Sequence, residues 1–252
     1  PSALVTGSNG KTTTVRLVAA MLGASGRVAG FNCTDGVFIG GERVERGDYS
    51  GPAGARSVLR DARVQAAVLE TARGGILRRG LAVRRVDAAI VTNISPDHFG
   101  EYGIHDLSGL ADAKLVVARA LDDRGLLVLN ADDEVLFAKS ANLKRRIAWF
   151  ALDDANPRLL AHRVAGGDTC GIADGRLRLH SNGATHDLGD IQAMPLALEG
   201  AATYNLHNIA GAALLASRLG VAPAVIAAVC ASFGGARGDN PGRMERWDIS
   251  GV

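Results

Sequence analysis

The chain has 252 residues, 47% hydrophobic and only 4% aromatic, which is enough apolar mass to bury a core in one large domain. That composition suits an α/β protein packed with small aliphatic side chains better than an aromatic-rich β protein. A net charge of +2 with both signs mixed, and only short basic runs such as Arg84-Arg85 and Lys144-Arg145-Arg146, argues against nucleic acid as a partner.

In chain order, the first feature is a short apolar run, Ala3-Leu4-Val5, followed by the loop Gly7-Ser8-Asn9-Gly10-Lys11-Thr12-Thr13. Val15, Val18, Ala19 and Leu22 then recur at helical spacing. Strand, glycine-rich turn, Gly-Lys-Thr and helix are the context of a phosphate-binding loop. Glycines let backbone N–H groups converge on phosphate oxygens, and the helix adds the positive end of its dipole. In such a loop Lys11 faces the β- and γ-phosphates and the Thr12 hydroxyl holds magnesium. The spacing is not the usual Gly-x4-Gly-Lys-Thr, because Val5 stands where that pattern has its first glycine.

A second strand is expected at Val28-Ala29-Gly30-Phe31, then a small hairpin around Val37-Phe38-Ile39 and Gly40-Gly41, with Gly47 to Pro52 as a loop. Ala66 to Leu69 reads as a buried strand ending at Glu70, and Ala88 to Val91 as another ending at Thr92-Asn93. Such unalternating apolar runs fit parallel strands covered on both faces. Ligands of open α/β sheets sit beyond the carboxyl ends of strands. The phosphate loop, Glu70 and the Asn93-to-His98 loop are therefore expected to converge. Asp106 caps a helix expected to run to about Leu121, and strands follow at Leu126 to Leu129 and Ile147 to Phe150. From about Leu159 to Leu188 the pattern turns to short alternating segments, an antiparallel β addition. Two alanine-rich helices, Tyr204 to Leu219 and Pro223 to Ser232, precede a Gly-rich linker candidate at Gly234 to Gly242.

Several residues carry candidate chemistry. Glu70, at a strand end beside the loop, is the expected metal ligand. His98 either ligates a second metal or acts as a general acid or base. Lys114 shares one helical face with Leu107, Leu110, Val117 and Leu121, so it points inward. It either snorkels to a nearby acid or is carbamylated and binds metal. Asn205 and Asn208 share a face at a helix start: one caps the helix, or both amides meet the edge of adenine. Arg243 is either a phosphate contact or a solvated side chain.

Four of these segments together resemble the central domain of the Mur ligase family: the Thr6–Thr13 loop, the Glu70 strand end, the Asp97-His98 loop with Lys114, and Asn205-x-x-Asn208. Leu69-Glu70-Thr71-Ala72-Arg73-Gly74-Gly75-Ile76-Leu77-Arg78, Leu129 to Asp133 and Pro241-Gly242-Arg243-Met244 are most similar to the Mur-ligase-like half of cyanophycin synthetases. Tyr204 stands where many members have a histidine. The resemblance implies a P-loop α/β fold, with a mostly parallel sheet flanked by helices. It places the ATP-binding domain at residues 1–236, with a linker and the start of a C-terminal ligase domain at 237–252. ATP and Mg2+ are the implied cofactors. Ser8, Asn9, Gly10, Lys11, Thr12, Thr13, Asn205, Asn208 and Arg243 are implied to bind nucleotide. Thr12, Glu70, His98 and a carbamylated Lys114 are implied to hold metal, and Lys11, Glu70, His98 and Lys114 to serve catalysis.

The implied reaction is ADP-forming amide ligation through an acyl phosphate, adding an amino acid such as arginine to a carboxylate of an acidic peptide. A muropeptide or folate ligase, a P-loop switch, and a nucleotide-binding subunit without turnover stay open, as does the oligomeric state, a homo-oligomer included. Cys33, Cys170 and Cys230 lack metal-ligand spacing, and apolar stretches break before membrane-spanning length. The expectation is a cytoplasmic protein with free thiols and no membrane partner. A start without methionine, and a final Arg246 to Val252 that reads like a new strand, point to a piece of a longer protein.

Overall fold

A computed structural model describes residues 1–96 and 100–243. Strand β1 (Ser2–Thr6) leads through the glycine loop into helix α1 (Lys11–Ala24). Strands β2 (Ala29–Cys33), β3 (Gly36–Ile39) and β4 (Glu42–Arg46) follow, then α2 (Pro52–Arg60), β5 (Ala66–Glu70), α3 (Arg73–Arg79) and β6 (Val86–Val91). The middle of the chain holds α4 (Leu107–Leu115), β7 (Leu121–Asn130), α5 (Glu134–Ser140), β8 (Arg146–Asp153) and α6 (Pro157–Val164). It closes with β9 (Thr169–Ala173), β10 (Arg176–Ser181), β11 (Ala184–Asp190), α7 (Thr203–Arg218) and α8 (Pro223–Cys230).

All the strands join one sheet of eleven, in the order β11-β10-β9-β8-β7-β6-β1-β5-β2-β3-β4. Neighbours from β9 through to β2 run parallel, and each edge is extended by antiparallel strands. The phosphate-loop strand β1 lies between β5 and β6, the position where ligands of open α/β sheets gather. The register sets Val5 opposite Glu70 and Thr6 opposite Val91, so the carboxyl ends of these three strands are level.

Both faces of the sheet are covered. Ala3, Val5 and Ile90 pack on one side against α1, α7 and α8. Leu4, Leu69, Val91 and Leu127 pack on the other against α2, α3, α4, α5 and α6. Small residues allow close approach: a Cβ on Gly211 of α7 would lie 2.7 Å from Ile90 Cδ1. This is the physical use of the alanine- and glycine-rich composition. The three cysteines are free and buried, and burial pushes the Cys230 thiol up to about 12.

The expected elements recur with three differences. The helix capped by Asp106 stops at Leu115 and tightens into a 3-10 stretch, Val116–Ala120. Leu121 then opens β7, where it pairs with Val86, and sheet pairing takes the chain out of helical geometry. Residues 157–164 form a helix rather than part of the antiparallel addition, because Asn156 caps it and Pro157 presets its first turn. The antiparallel addition itself spans β9 to β11, and the β3–β4 hairpin extends the opposite edge. Helices α2, α3 and α5, each of seven to nine residues, were not among the expected elements, although α2 buries Pro52, Ala55 and Val58 at helical spacing. The Arg246–Val252 stretch and His98 lie outside the described residues.

Candidate functional site

The loop after β1 is built by its glycines. Gly10 caps α1 with φ 82°, in the left-handed region, and Gly7 has φ 150°. Their missing side chains matter as much as their angles: a Cβ on Gly7 would lie 1.9 Å from Thr92 Oγ1, and one on Gly10 would lie 2.0 Å from Asn208 Oδ1. We expect Gly10→Ala to cost about 1–3 kcal/mol through backbone strain and the displaced amide. Thermal melting of the variant beside wild type measures this, and an unchanged midpoint would disprove the close approach.

The loop leans on the chain that leaves β6. Ser8 N donates to Asn93 O at 3.0 Å, Asn9 N donates to Asn93 Oδ1 at 3.0 Å, and Thr92 Oγ1 donates to Asn9 O at 2.6 Å. Ser8 Oγ donates to Ser95 O, and Asn9 Nδ2 to Ser95 Oγ, both at 3.0 Å. Lys11 Nζ donates to the loop's own carbonyls, Gly7 O at 3.0 Å and Ser8 O at 2.9 Å. From the other face of the sheet Lys114, 1% exposed, reaches Gly7 O at 2.9 Å. The inward direction read from its helical stripe holds, and its ammonium supports the back of the loop.

Glu70 is the second part of the site. It is 0% exposed, and Thr12 Oγ1 donates to its Oε2 at 2.9 Å. Its Oε1 is buried without a hydrogen-bond partner among the described residues. Burial pushes this carboxyl up to about 7, against the pull of Lys11, the Thr12 hydrogen bond and Arg243. A hydroxyl and an orphaned carboxylate oxygen beside a phosphate loop form the hard oxygen donor set that magnesium takes, so Thr12 and Glu70 fit that ion. Among the described residues no cluster of three or more His, Cys, Asp or Glu side chains offers a further metal site.

Ser8, Asn9, Gly10, Lys11, Thr12, Thr13 and Glu70 line a cleft of about 720 Å³ together with Thr34, Asn93, Asn130, Tyr204, Asn205, His207, Asn208 and Arg243; Lys114 does not line it. Neither asparagine caps α7. Asn205 Nδ2 donates to Leu196 O at 2.9 Å, and Asn208 Nδ2 donates to Asn205 Oδ1 at 3.2 Å, so the pair is a connected chain at the cleft wall. Arg243 Nη2 donates to Thr34 Oγ1 at 3.0 Å, and Thr34 Oγ1 lies 3.4 Å from Thr12 Oγ1.

Some site residues were not anticipated. Arg16 of α1 is 5% exposed; it pairs with Asp35 at 2.6 Å and donates to Asn240 Oδ1 at 3.2 Å and Pro241 O at 3.1 Å. It joins the phosphate-loop helix to the Gly-rich stretch expected to be a linker. The available signal was its spacing of four from Thr12, which puts a charge on the buried side of α1. Asn130 and His207 were also missed as site residues, although Asn130 stands at a strand's carboxyl end and His207 between the two asparagines. Arg73 pairs with Glu101 at 2.8 Å, and Arg78 bonds the Tyr102 hydroxyl.

A family model described as the Mur ligase middle domain matches residues 5–216. The chain is 36% identical over 249 residues to the cyanophycin synthetase of Geminocystis herdmanii, covering 99% of this chain and 28% of that protein. It is 32% identical over 238 residues to the UDP-N-acetylmuramoyl-L-alanyl-D-glutamate--2,6-diaminopimelate ligase of Chlorobaculum tepidum, covering 87% of this chain and 43% of that one. A solved structure of a UDP-N-acetylmuramoyl-L-alanyl-D-glutamate--2,6-diaminopimelate ligase shares the fold, with TM-score 0.69 over 92% of this chain and 46% of its own, at 19% identity. The chain thus spans about 28% of the length of the cyanophycin synthetase it matches. The loop, the strand order and these matches over most of the chain agree: the chain belongs to the Mur ligase family as its middle domain.

Proposed function

We propose that the chain is the nucleotide-binding part of an ATP-dependent carboxylate–amine ligase that forms ADP. The observation that carries this is the Thr12–Glu70 pair, with its orphaned buried oxygen, at the mouth of a phosphate loop. In the proposed reaction a substrate carboxylate oxygen attacks the γ-phosphorus of ATP and ADP leaves. An amine nitrogen then attacks the resulting acyl carbon and loses its proton, and inorganic phosphate departs with the C–O electron pair. The loop's backbone amides and Lys11 bind and orient the phosphates, and their charge favours the transferring group. Magnesium held by Thr12 and Glu70 would neutralise the phosphate oxygens. Arg243 contacts phosphate and the Asn205–Asn208 pair meets adenine. His98 with a carbamylated Lys114 would hold a second metal ion. Residues 1–236 form the nucleotide domain, and 237–252 lead toward a domain that binds the incoming amine.

For the substrates we propose an acidic peptide, receiving a basic amino acid such as arginine on an aspartate side chain. The identity to cyanophycin synthetases over nearly the whole chain supports this over a muropeptide or folate acceptor. The test is phosphate release by the full-length protein with poly-aspartate and each amino acid in turn. Turnover only with a UDP-linked muropeptide or a folate would overturn the substrate, and no nucleotide-dependent turnover with any of them would overturn the ligase.

For Lys114, we expect Lys114→Ala to lose activity and short carboxylates to restore part of it. Labelled bicarbonate should give a carbamate carbon signal in wild type that is absent from the variant. A fully active sample without that signal would disprove the modification.

A further inference from the structure

His207 sits on α7 between Asn205 and Asn208 and lines the same cleft. Its Nε2 is 2.9 Å from Asp132 Oδ2, which also accepts from Leu152 N at 2.8 Å, while Asp132 Oδ1 accepts from Asn156 Nδ2 at 3.0 Å. Burial pushes the Asp132 carboxyl up, but the hydrogen bonds from His207, the Leu152 amide and Asn156 outweigh it and hold the group below its ordinary value. An ionised carboxylate only accepts, so in the neutral ring Nε2 carries the proton and Nδ1 keeps its lone pair. Phe150, edge-on at 6.2 Å between ring centroids, packs beside the imidazole. Nδ1 has no hydrogen-bond partner among the described residues. The cleft wall therefore presents one more acceptor than the asparagine pair alone supplies.

We propose that His207, positioned by Asp132, accepts a hydrogen bond from the base of the bound nucleotide and selects adenine over guanine. Adenine carries an exocyclic amine, a donor, where guanine carries a carbonyl, an acceptor. An acceptor on the wall pairs with the first and opposes the second. The assignment rests on the nucleotide-binding reading above. His207 is the specificity-determining side chain; Asp132 acts only by setting which ring nitrogen holds the proton.

The experiment is calorimetric titration of the full-length protein with ATP, GTP and 2′-deoxy-ATP at pH 8. We expect wild type to prefer ATP over GTP and to bind 2′-deoxy-ATP like ATP. His207→Leu should lower the ATP-to-GTP ratio about tenfold, the scale of one mismatched hydrogen bond. His207→Asn, whose amide oxygen can stand near the place of Nδ1, should keep part of the preference. Asp132→Asn should weaken it while leaving the ring in place. A purely structural role would weaken all three nucleotides alike, and an unchanged ratio in His207→Leu overturns the proposal. A preference against 2′-deoxy-ATP that vanishes in His207→Leu also overturns it, because the ring then reads the ribose. If wild type binds none of the three nucleotides, the nucleotide-binding reading itself fails.

Discussion

Replacing Glu70 with glutamine should stabilise the metal-free protein at pH 8 and abolish its response to magnesium nucleotide. The unfolded carboxyl titrates near 4.5, and burial raises it to about 7 in the fold. Between those values the unfolded state has released its proton and the folded state still holds one. Stability therefore falls as pH rises from about 4.5 to about 7, and the loss persists above that. Glutamine does not titrate, so its advantage grows through the same window to about 3 kcal/mol. Its amide oxygen can still accept from Thr12, which keeps the comparison close to isosteric. Magnesium nucleotide should reverse the order: it should bind the ionised carboxylate of wild type and raise the melting temperature by mass action, and the variant should not respond. Melting curves at pH 5 and pH 8, with and without magnesium ATP, give the four values needed. Equal stability of the two proteins at both pH values would show that the buried carboxylate is not strained. A normal magnesium response in the variant would remove Glu70 from the metal site. Native selection of the less stable carboxylate is the ordinary compromise of a functional site.

Lys11→Ala should weaken magnesium ATP binding by about 2–3 kcal/mol, the scale of charge-assisted hydrogen bonds lost from a site that stays otherwise intact. The lysine now donates to Gly7 O and Ser8 O, so its ammonium already lies over the loop. Adenosine monophosphate lacks the β- and γ-phosphates proposed to meet Lys11, so its affinity should change little. Calorimetry with both nucleotides separates the two effects. Equal ATP affinity in wild type and variant would end the phosphate role of Lys11. A matching loss for the monophosphate would mean that the substitution deforms the loop rather than removing a phosphate contact.

The parts of the protein legible in the amino-acid sequence are those set by local pattern. The apolar runs at Ala3, Ala66 and Ala88 lack alternation, and each is a parallel strand buried on both faces. Strand, glycine turn and a helix with apolar residues at helical spacing located the phosphate loop, and strand-end position singled out Glu70. Of the stripe read over residues 107–121, Leu107, Leu110 and Lys114 lie on α4, and that part told correctly that Lys114 points inward, because helical periodicity reports direction.

What that pattern could not name is the partner. Lys114 ends on Gly7, 107 positions away, and Ser8 meets Ser95 across 87. Those contacts follow from the strand order β6-β1-β5 and a register that levels three strand ends, which are properties of the whole sheet. The same reason hid Arg16: its charge is acceptable in the interior only because Asp35 and Asn240 arrive from separate segments to meet it. At α6, the start of the stretch expected as antiparallel addition, the deciding signals are local instead: the Asn156 cap and Pro157 start a helix that packs on β8. Local sequence determined which way side chains face; the tertiary structure alone decided what they face, because that depends on elements far apart in the chain being stacked in one order and one register.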